Sequence, residues 1–417
     1  PPPPQMVLLP SAPFPGQDKW LGGECSWDGR YIYGVPGSAK NVLCSDTETG
    51  ACTTLGGPYQ GKFKWLRGVS TPTAVYALPS NAHSVLKIDP STNACSTIGG
   101  PFGDDGWQWH GGQLLADGCV YGVPCNAKQV LKLDPRTDEI TQVGGPWDGK
   151  HKWYGGIISP LNGAMYCIPQ SHQGVLKVCP TKGCSVIDCG ALYRAENAAG
   201  YLWHGGTADA SGRYIFGIPS NADYVLKIDT KLDTCCLIGP KLESGRHRVN
   251  KDGRYKYLGS ALGPDGLIYM FPCDAERVLC IDPRTDSVRC VGPTFIGHPP
   301  ALRTSDRAKY ESMVVSEDGK TIHCIGENKW QNGFAAKDGC IYAIPQRAPG
   351  ILRIVPPVGG GGSGGGGDAA VSLVDCGEAF RGTKDLFEGA VMGKTDGHIY
   401  CIPLRAKRAV KLVPASL

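Results

Sequence analysis

The chain has 417 residues and a formal net charge of +4, from 42 Lys and Arg against 38 Asp and Glu. So even a balance over this length does not by itself point to nucleic acid, and no apolar run reaches the roughly 18 residues of a membrane-spanning helix. The chain is rich in turn formers, with 59 Gly and 33 Pro, and its 19 Cys leave at least one thiol unpaired.

Taken in order, the chain begins at Pro1–Pro4 without an initiating methionine, which reads as a start inside a longer protein. Met6 to Gly16 has the text of a unit's last strand and its exit loop, ahead of any first strand. The stretch Trp109 to Pro146 then shows the unit whole: GGQLLA alternates towards Asp117-Gly118, a dipeptide that favours positive φ in a tight hairpin. CVYGVP follows and ends at Pro124, because proline cannot donate to a ladder; VLKLD, bounded by Asp134-Pro135, and EITQVGG complete four strands. A period near 45 residues of four antiparallel strands describes a propeller blade, which buries its faces only by stacking on neighbours.

An aromatic-x-x-Pro marker in the second strand counts the blades: Tyr33, Tyr76, Tyr121, Tyr166, Phe216, Tyr269, Tyr342 and Tyr400. The expectation is an all-β, eight-bladed β-propeller spanning residues 1–417 as a single domain. Between the sixth and seventh markers, Lys309 to Glu327 resembles a degenerate first hairpin. It either decorates the fold or changes the count to seven or nine. The last unit stops after Ala409 to Val413 and lacks a fourth strand, so the N-terminal strand is expected to complete it and close the ring. Gly359 to Gly367, GGGGSGGGG, has the composition of an engineered flexible linker standing in for a longer loop.

The cysteine positions do not repeat from blade to blade. Pairs across a hairpin are conceivable for Cys44 with Cys52, Cys280 with Cys290, and Cys179 with Cys184 or Cys189, but buried free thiols acting as small apolar groups are the favoured reading. No Asn-x-Ser/Thr acceptor occurs, which goes with a cytoplasmic rather than a secreted or cell-surface protein.

The run Ile215 to Pro240, IFGIPSNADYVLKIDTKLDTCCLIGP, resembles the YVTN-type repeats of β-propellers, with an aromatic strand, a hydrophobic-x-hydrophobic-Asp strand and a turn containing Thr. The resemblance covers nearly the whole chain and implies the fold; such propellers include surface proteins, scaffolds and some enzymes, so it implies no particular activity. The Trp-x-Gly-Gly opening and the Pro-x-Asn-Ala loop depart from that pattern.

An aromatic opens most units: Trp20, Trp65, Trp109, Trp153, Trp203, Tyr257 and Trp330, preceded by Lys19, Lys64, Lys152, Lys256 and Lys329. These would either ring a channel mouth and stack on a glycan or anion, or wedge between blades as packing. The irregular connections speak more for function. After the fifth blade come Arg246, His247, Arg248, Lys251, Arg254 and Lys256; after the sixth Arg303, Arg307 and Lys309; in blade eight Arg381, Lys384, Arg405, Lys407 and Arg408. A basic patch on a nearly neutral protein steers acidic partners. The expected function is a non-enzymatic scaffold binding an acidic protein segment. The alternatives are an extracellular carbohydrate-binding propeller using the Trp ring, and a hydrolase or lyase working through His110 and His204. No catalytic set, metal site or cofactor is assigned, because no nucleophile elbow, phosphate loop or zinc motif occurs.

Overall fold

The second strand of each repeat is the most apolar and is buried on both faces: Val120–Pro124 and Met165–Pro169 show no exposed position. The fourth strand, Glu139–Val143, alternates between exposed and half-buried residues, as an outer edge does. Burial therefore falls from the middle of each sheet to its outer strand. The computed structural model describes all residues except 1–2, 104–105, 196–199, 246–253, 298–313, 316–320, 325–328, 349, 358–368, 377–379, 381–384 and 416–417.

Eight four-stranded sheets make the chain an eight-bladed β-propeller. Blade 3 consists of Trp109–Leu114, Val120–Pro124, Val130–Asp134 and Glu139–Val143, paired in that order. The first strands of blades 1 and 2 are Trp20–Cys25 and Trp65–Ser70, and those of blades 4 and 5 are Trp153–Ile158 and Trp203–Ala208. Those of blades 6, 7 and 8 are Tyr257–Leu262, Trp330–Ala335 and Phe387–Met392. In blade 8 the sheet is completed by Gln5–Leu8, which lies beside Val410–Val413. The two ends of the chain thus share one sheet, as the incomplete last repeat requires. Beyond that strand, Leu9 N–H donates to Ala409 O at 2.9 Å and Phe14 N–H to Lys407 O at 2.8 Å.

Two compact units divide the chain. One comprises Val7–Gly190 and Ala390–Leu412; the other comprises Pro1–Met6, Ala191–Gly389 and Val413–Leu417. The first holds blades 1 to 4 and most of blade 8, and its core is built between successive blades, as in the cluster of Trp65, Val75, Leu86 and Ile88 with Tyr33, Val35 and Val42. The second holds blades 5, 6 and 7, where Phe271, Val278 and Val291 pack with Trp330, Ile341 and Leu352. A short helix, Gly190–Ala195, follows blade 4.

The ambiguous hairpin is a decoration. Thr294–Gly297, Val314–Val315 and Thr321–Cys324 form a separate three-stranded sheet, in which the first and last run parallel, so the blade count stays at eight. The Gly359 to Gly367 linker lies outside the described residues.

The hairpin disulfides that spacing permitted do not form: Cys44, Cys52, Cys179, Cys184, Cys280 and Cys290 are free thiols. Register explains this. Cys44 pairs with Thr53 and Ser45 with Cys52; Cys280 pairs with Arg289 and Leu279 with Cys290. An offset of one residue sends the two sulfurs to opposite faces of the sheet. Cys189 and Cys235 are each disulfide-bonded. Thiol titration of denatured, unreduced protein is expected to return at least the sixteen free thiols found among the described residues; a count under ten would contradict the register.

Candidate functional site

The first strands of blades 1 to 7 start with a bulge. In blade 3 the pairing runs Trp109 with Pro124 and then Gly112 with Gly122, which leaves an extra residue in the first strand. The residues ahead of the bulge hold the blades of each unit together. Lys64 N–H donates to Gly37 O at 3.1 Å, and its ammonium donates to Gly37 O at 2.7 Å and Ala39 O at 2.9 Å, all on the preceding blade. Lys19 reaches Leu404 O of blade 8 at 3.0 Å, Lys152 reaches Cys125 O of blade 3 at 2.9 Å, and Lys256 reaches Asn221 O and Ala222 O of blade 5 at 3.0 Å. Side chains that sequence spacing left open as a cationic rim are therefore buried staples, all 4% exposed or less. Desolvation pulls Lys19, Lys64 and Lys152 down to about 8.

The opening aromatics are also consumed by packing. Trp20, Trp65, Trp109, Trp153, Trp203, Tyr257 and Trp330 are 3% exposed or less. Trp65 Nε1–H donates to Ser84 O at 2.7 Å, Trp153 to Gly174 O at 2.8 Å and Trp330 to Gly350 O at 2.9 Å, so each indole closes the connection between its own blade's second and third strands. Aromatic edges complete the pockets: Phe14 on Trp20, Phe102 on Trp109, Trp147 on Trp153. None of these seven rings offers a face to a ligand.

One position two residues before each opening aromatic escaped the sequence reading. Asp18, Phe63, Trp107, His151, Tyr201, Tyr255 and Asp385 all have positive φ, between 48° and 56°. Their carbonyls accept from their own blade's loop, Phe63 O from Asn81 N–H at 3.0 Å and Trp107 O from Asn126 N–H at 3.0 Å. An asparagine ties successive blades: Asn81 Oδ1 accepts from Trp107 N–H at 2.8 Å, Asn126 Oδ1 from His151 N–H at 2.9 Å, and Asn221 Oδ1 from Tyr255 N–H at 3.1 Å. Glycine would suit the left-handed backbone best, yet five of these seven residues carry rings, and bulky residues are the costliest there. Phe63 and Trp107 stack on each other with centroids 5.5 Å apart, and Tyr255 is 39% exposed beside exposed Arg254. The sequence signal was available as a ring-Lys/Gln/Leu-Trp/Tyr triplet, but the aromatic after it masked it.

Of the basic residues singled out, Arg254 and Lys256 are described; the former is exposed and the latter fully buried on Asn221 and Ala222. Arg246, His247, Arg248, Lys251, Arg303, Arg307, Lys309, Arg381 and Lys384 lie outside the described residues. In blade 8, Arg405 Nε pairs with Asp18 Oδ1 at 3.3 Å and Arg408 donates to Ser11 O at 2.6 Å.

The residue after each opening aromatic differs from blade to blade. His110 is buried and its ring lies 3.5 Å, centroid to centroid, from Tyr154. His204, in the other unit, is half-buried. In blades 7 and 8, Gln331 and Gln346 are joined by a hydrogen bond between their amides and both donate to Glu388, at 3.3 and 3.5 Å; Arg347 pairs with Asp385 at 2.8 Å beside them. Glu24 accepts from Cys25 N–H at 2.9 Å. Burial pushes its carboxyl up to about 7, against that hydrogen bond and the Lys394 and Arg67 charges. Among the described residues no cluster of His, Cys, Asp and Glu is placed to hold a metal ion, and no helix is long and apolar enough to cross a membrane.

No family model matches the chain, and no curated protein does. Solved structures do. A streptogramin B lyase superposes with a TM-score of 0.55 at 12% identity, over 84% of this chain and 96% of that one. A catalytically inactive virginiamycin B lyase from Staphylococcus aureus with quinupristin gives 0.54 at 10% identity, over 99% of this chain and 100% of that one. The extracellular domain of a one-component system from B. thetaiotaomicron gives 0.51 at 10% identity, over 95% of this chain and 52% of that one. At such identities the likeness shows the propeller fold alone.

Trp153→Ala is expected to cost about 3–5 kcal/mol in urea unfolding, since it empties a fully buried site and orphans the Gly174 carbonyl. Glu24 carries a pH signature. A carboxyl raised from 4.5 to about 7 holds its proton in the folded state, so stability falls as pH rises through that window and levels above it. Glu24→Gln should therefore melt above the parent at pH 8 and converge with it near pH 4.5, read by thermal unfolding across pH; equal differences at both pH values would refute the raised carboxyl.

Proposed function

We propose that this propeller is a non-enzymatic interaction module that engages an acidic protein segment through the long connection into blade 6, with Arg246, Arg248, Lys251 and Arg254 as the cationic contacts and Tyr255 as the aromatic one. The observation that carries this reading is Tyr255: a ring 39% exposed at φ 52°, beside exposed Arg254. The opening aromatics and the lysines ahead of them are spent on packing, so what distinguishes one connection from another is left to its own loop residues. The connection into blade 6 concentrates cations more than any other in the sequence, and such a cluster raises encounter rates with acidic chains. The connection after blade 6, with Arg303 and Arg307, and the blade 8 residues Arg381 and Lys384 would extend the same surface. The preponderance of free thiols supports a reducing compartment such as the cytoplasm.

A glycan is the second reading. Support for it comes from the half-buried Phe63–Trp107 pair rather than from the opening tryptophans, which are internal.

Fluorescence anisotropy with a labelled Glu- and Asp-rich peptide tests the first reading. The unaltered chain should bind, and the affinity should weaken steeply between roughly 50 and 200 mM salt, where screening shortens the reach of exposed charges. Reversal of Arg246, Arg248 and Arg254 to Glu should cut binding at least tenfold. Equal binding by both proteins, or none by either, would reject it, and loss on Trp107→Ala of binding to immobilised oligosaccharides would favour the glycan.

A further inference from the structure

The third residue of the first strand is held at positive φ in seven of the eight blades, blade 6 excepted, and its identity separates one blade from the rest. It is Gly22 in blade 1, Gly111 in blade 3, Gly155 in blade 4, Gly205 in blade 5 and Gly389 in blade 8, all with φ between 71° and 77°. Blade 7 uses Asn332 at 60°, a residue that tolerates this region. Blade 2 uses Arg67 at 58°. A long, Cβ-bearing side chain in a left-handed bulge is a strained choice where glycine serves five sister blades, and such strain collects at functional positions.

The neighbours make room for it. A Cβ added at Gly22 would meet Arg67 Cγ at 3.1 Å, and one added at Gly111 would meet Arg67 Cδ at 3.4 Å. The aliphatic stem therefore lies against the bulge glycines of the blades on either side. Its guanidinium, half-buried, has no hydrogen bond and no ion pair within 4.0 Å to any described residue. The neighbouring Glu24 carboxyl, on which the Arg67 charge acts, accepts from Cys25 N–H at 2.9 Å through Oε1. Lys394 donates to Ser26 O at 3.1 Å. Five donors in a planar fork, presented on a strained backbone and left without a protein acceptor, match the geometry of a carboxylate or phosphate taken through two parallel hydrogen bonds.

We propose that Arg67 is the recognition residue of a small-oxyanion site on the first strands of blades 1 to 3, taking a carboxylate- or phosphate-bearing small molecule in a bidentate grip, with Gly22 and Gly111 as the floor on which its stem lies. The site is separate from the connection into blade 6 and does not depend on the peptide-binding reading.

Isothermal titration with inorganic phosphate and, separately, with succinate tests it, at constant ionic strength against chloride. The unaltered chain is expected to bind one of the two saturably at one site per chain; which one tells phosphate from carboxylate. Arg67→Gly should weaken that binding at least tenfold while raising Tm by about 1–2 °C, because glycine relieves the left-handed strain. Arg67→Lys keeps the charge without the fork and should lie between the two in affinity. The Arg246, Arg248 and Arg254 reversal should leave oxyanion binding unchanged. No saturable binding of either oxyanion by the unaltered chain, equal binding by Arg67→Gly, or a lower Tm for Arg67→Gly would each overturn the proposal.

Discussion

The carbonyls at the end of each blade's second strand are the constraint on which the rest depends. Proline ends that strand, the chain turns, and several backbone oxygens are left in an apolar setting without a ladder partner. Within each unit the next blade supplies the donors: the N–H of the residue before the opening aromatic, and for Lys19, Lys64, Lys152 and Lys256 the ammonium as well. An unmet buried carbonyl costs about 1–3 kcal/mol, so a blade and its successor stabilise each other through a polar joint as well as an apolar one. Blade 3 has Gln108 in the lysine's place; its backbone still donates to Ser80 O at 2.9 Å, while the shorter side chain leaves its Nε2 buried without a protein acceptor.

That joint goes with two left-handed residues in blades 1 to 5 and in blade 8. One lies ahead of the lysine, where the chain must double back to offer its N–H to the preceding blade and its carbonyl to its own blade's loop; the other follows the aromatic and returns the first strand to register. Glycine is the low-cost solution at both places. Where the sequence instead spends a tryptophan, a tyrosine or an arginine, the side chain has a use that the backbone alone does not explain, and those substitutions locate the candidate sites. The same reasoning removes the opening tryptophans and the lysines ahead of them from consideration, because their chemistry is answered inside the fold.

Legibility differed sharply between the two levels. The four-strand unit, the eight aromatic-x-x-Pro markers and the missing fourth strand of the last repeat were readable because turn chemistry and period-two patterning are local properties of a few adjacent residues. The incomplete ends even dictated that Gln5–Leu8 joins Val410–Val413. Whether Trp153 faces a ligand or a core was not readable: both uses favour the same residue, and only its 0% exposure and its bond to Gly174 O decide between them. Cysteine spacing was similarly silent, since Cys44 and Cys52 are near in sequence but one register step apart across the hairpin.

The amino-acid sequence by itself determined the blade, its eight second-strand markers and the way the last blade is completed, because strand, turn and repeat are written in contiguous text. Tertiary structure alone decided which charges and rings reach the surface. Lys64 and Lys256 disappear onto carbonyls of a neighbouring blade, Arg254 and Tyr255 come to the surface, and Arg67 rests on two glycines 45 and 44 residues away in the chain. Burial and hydrogen-bond partnership are set by segments distant in sequence, so no local pattern can report them.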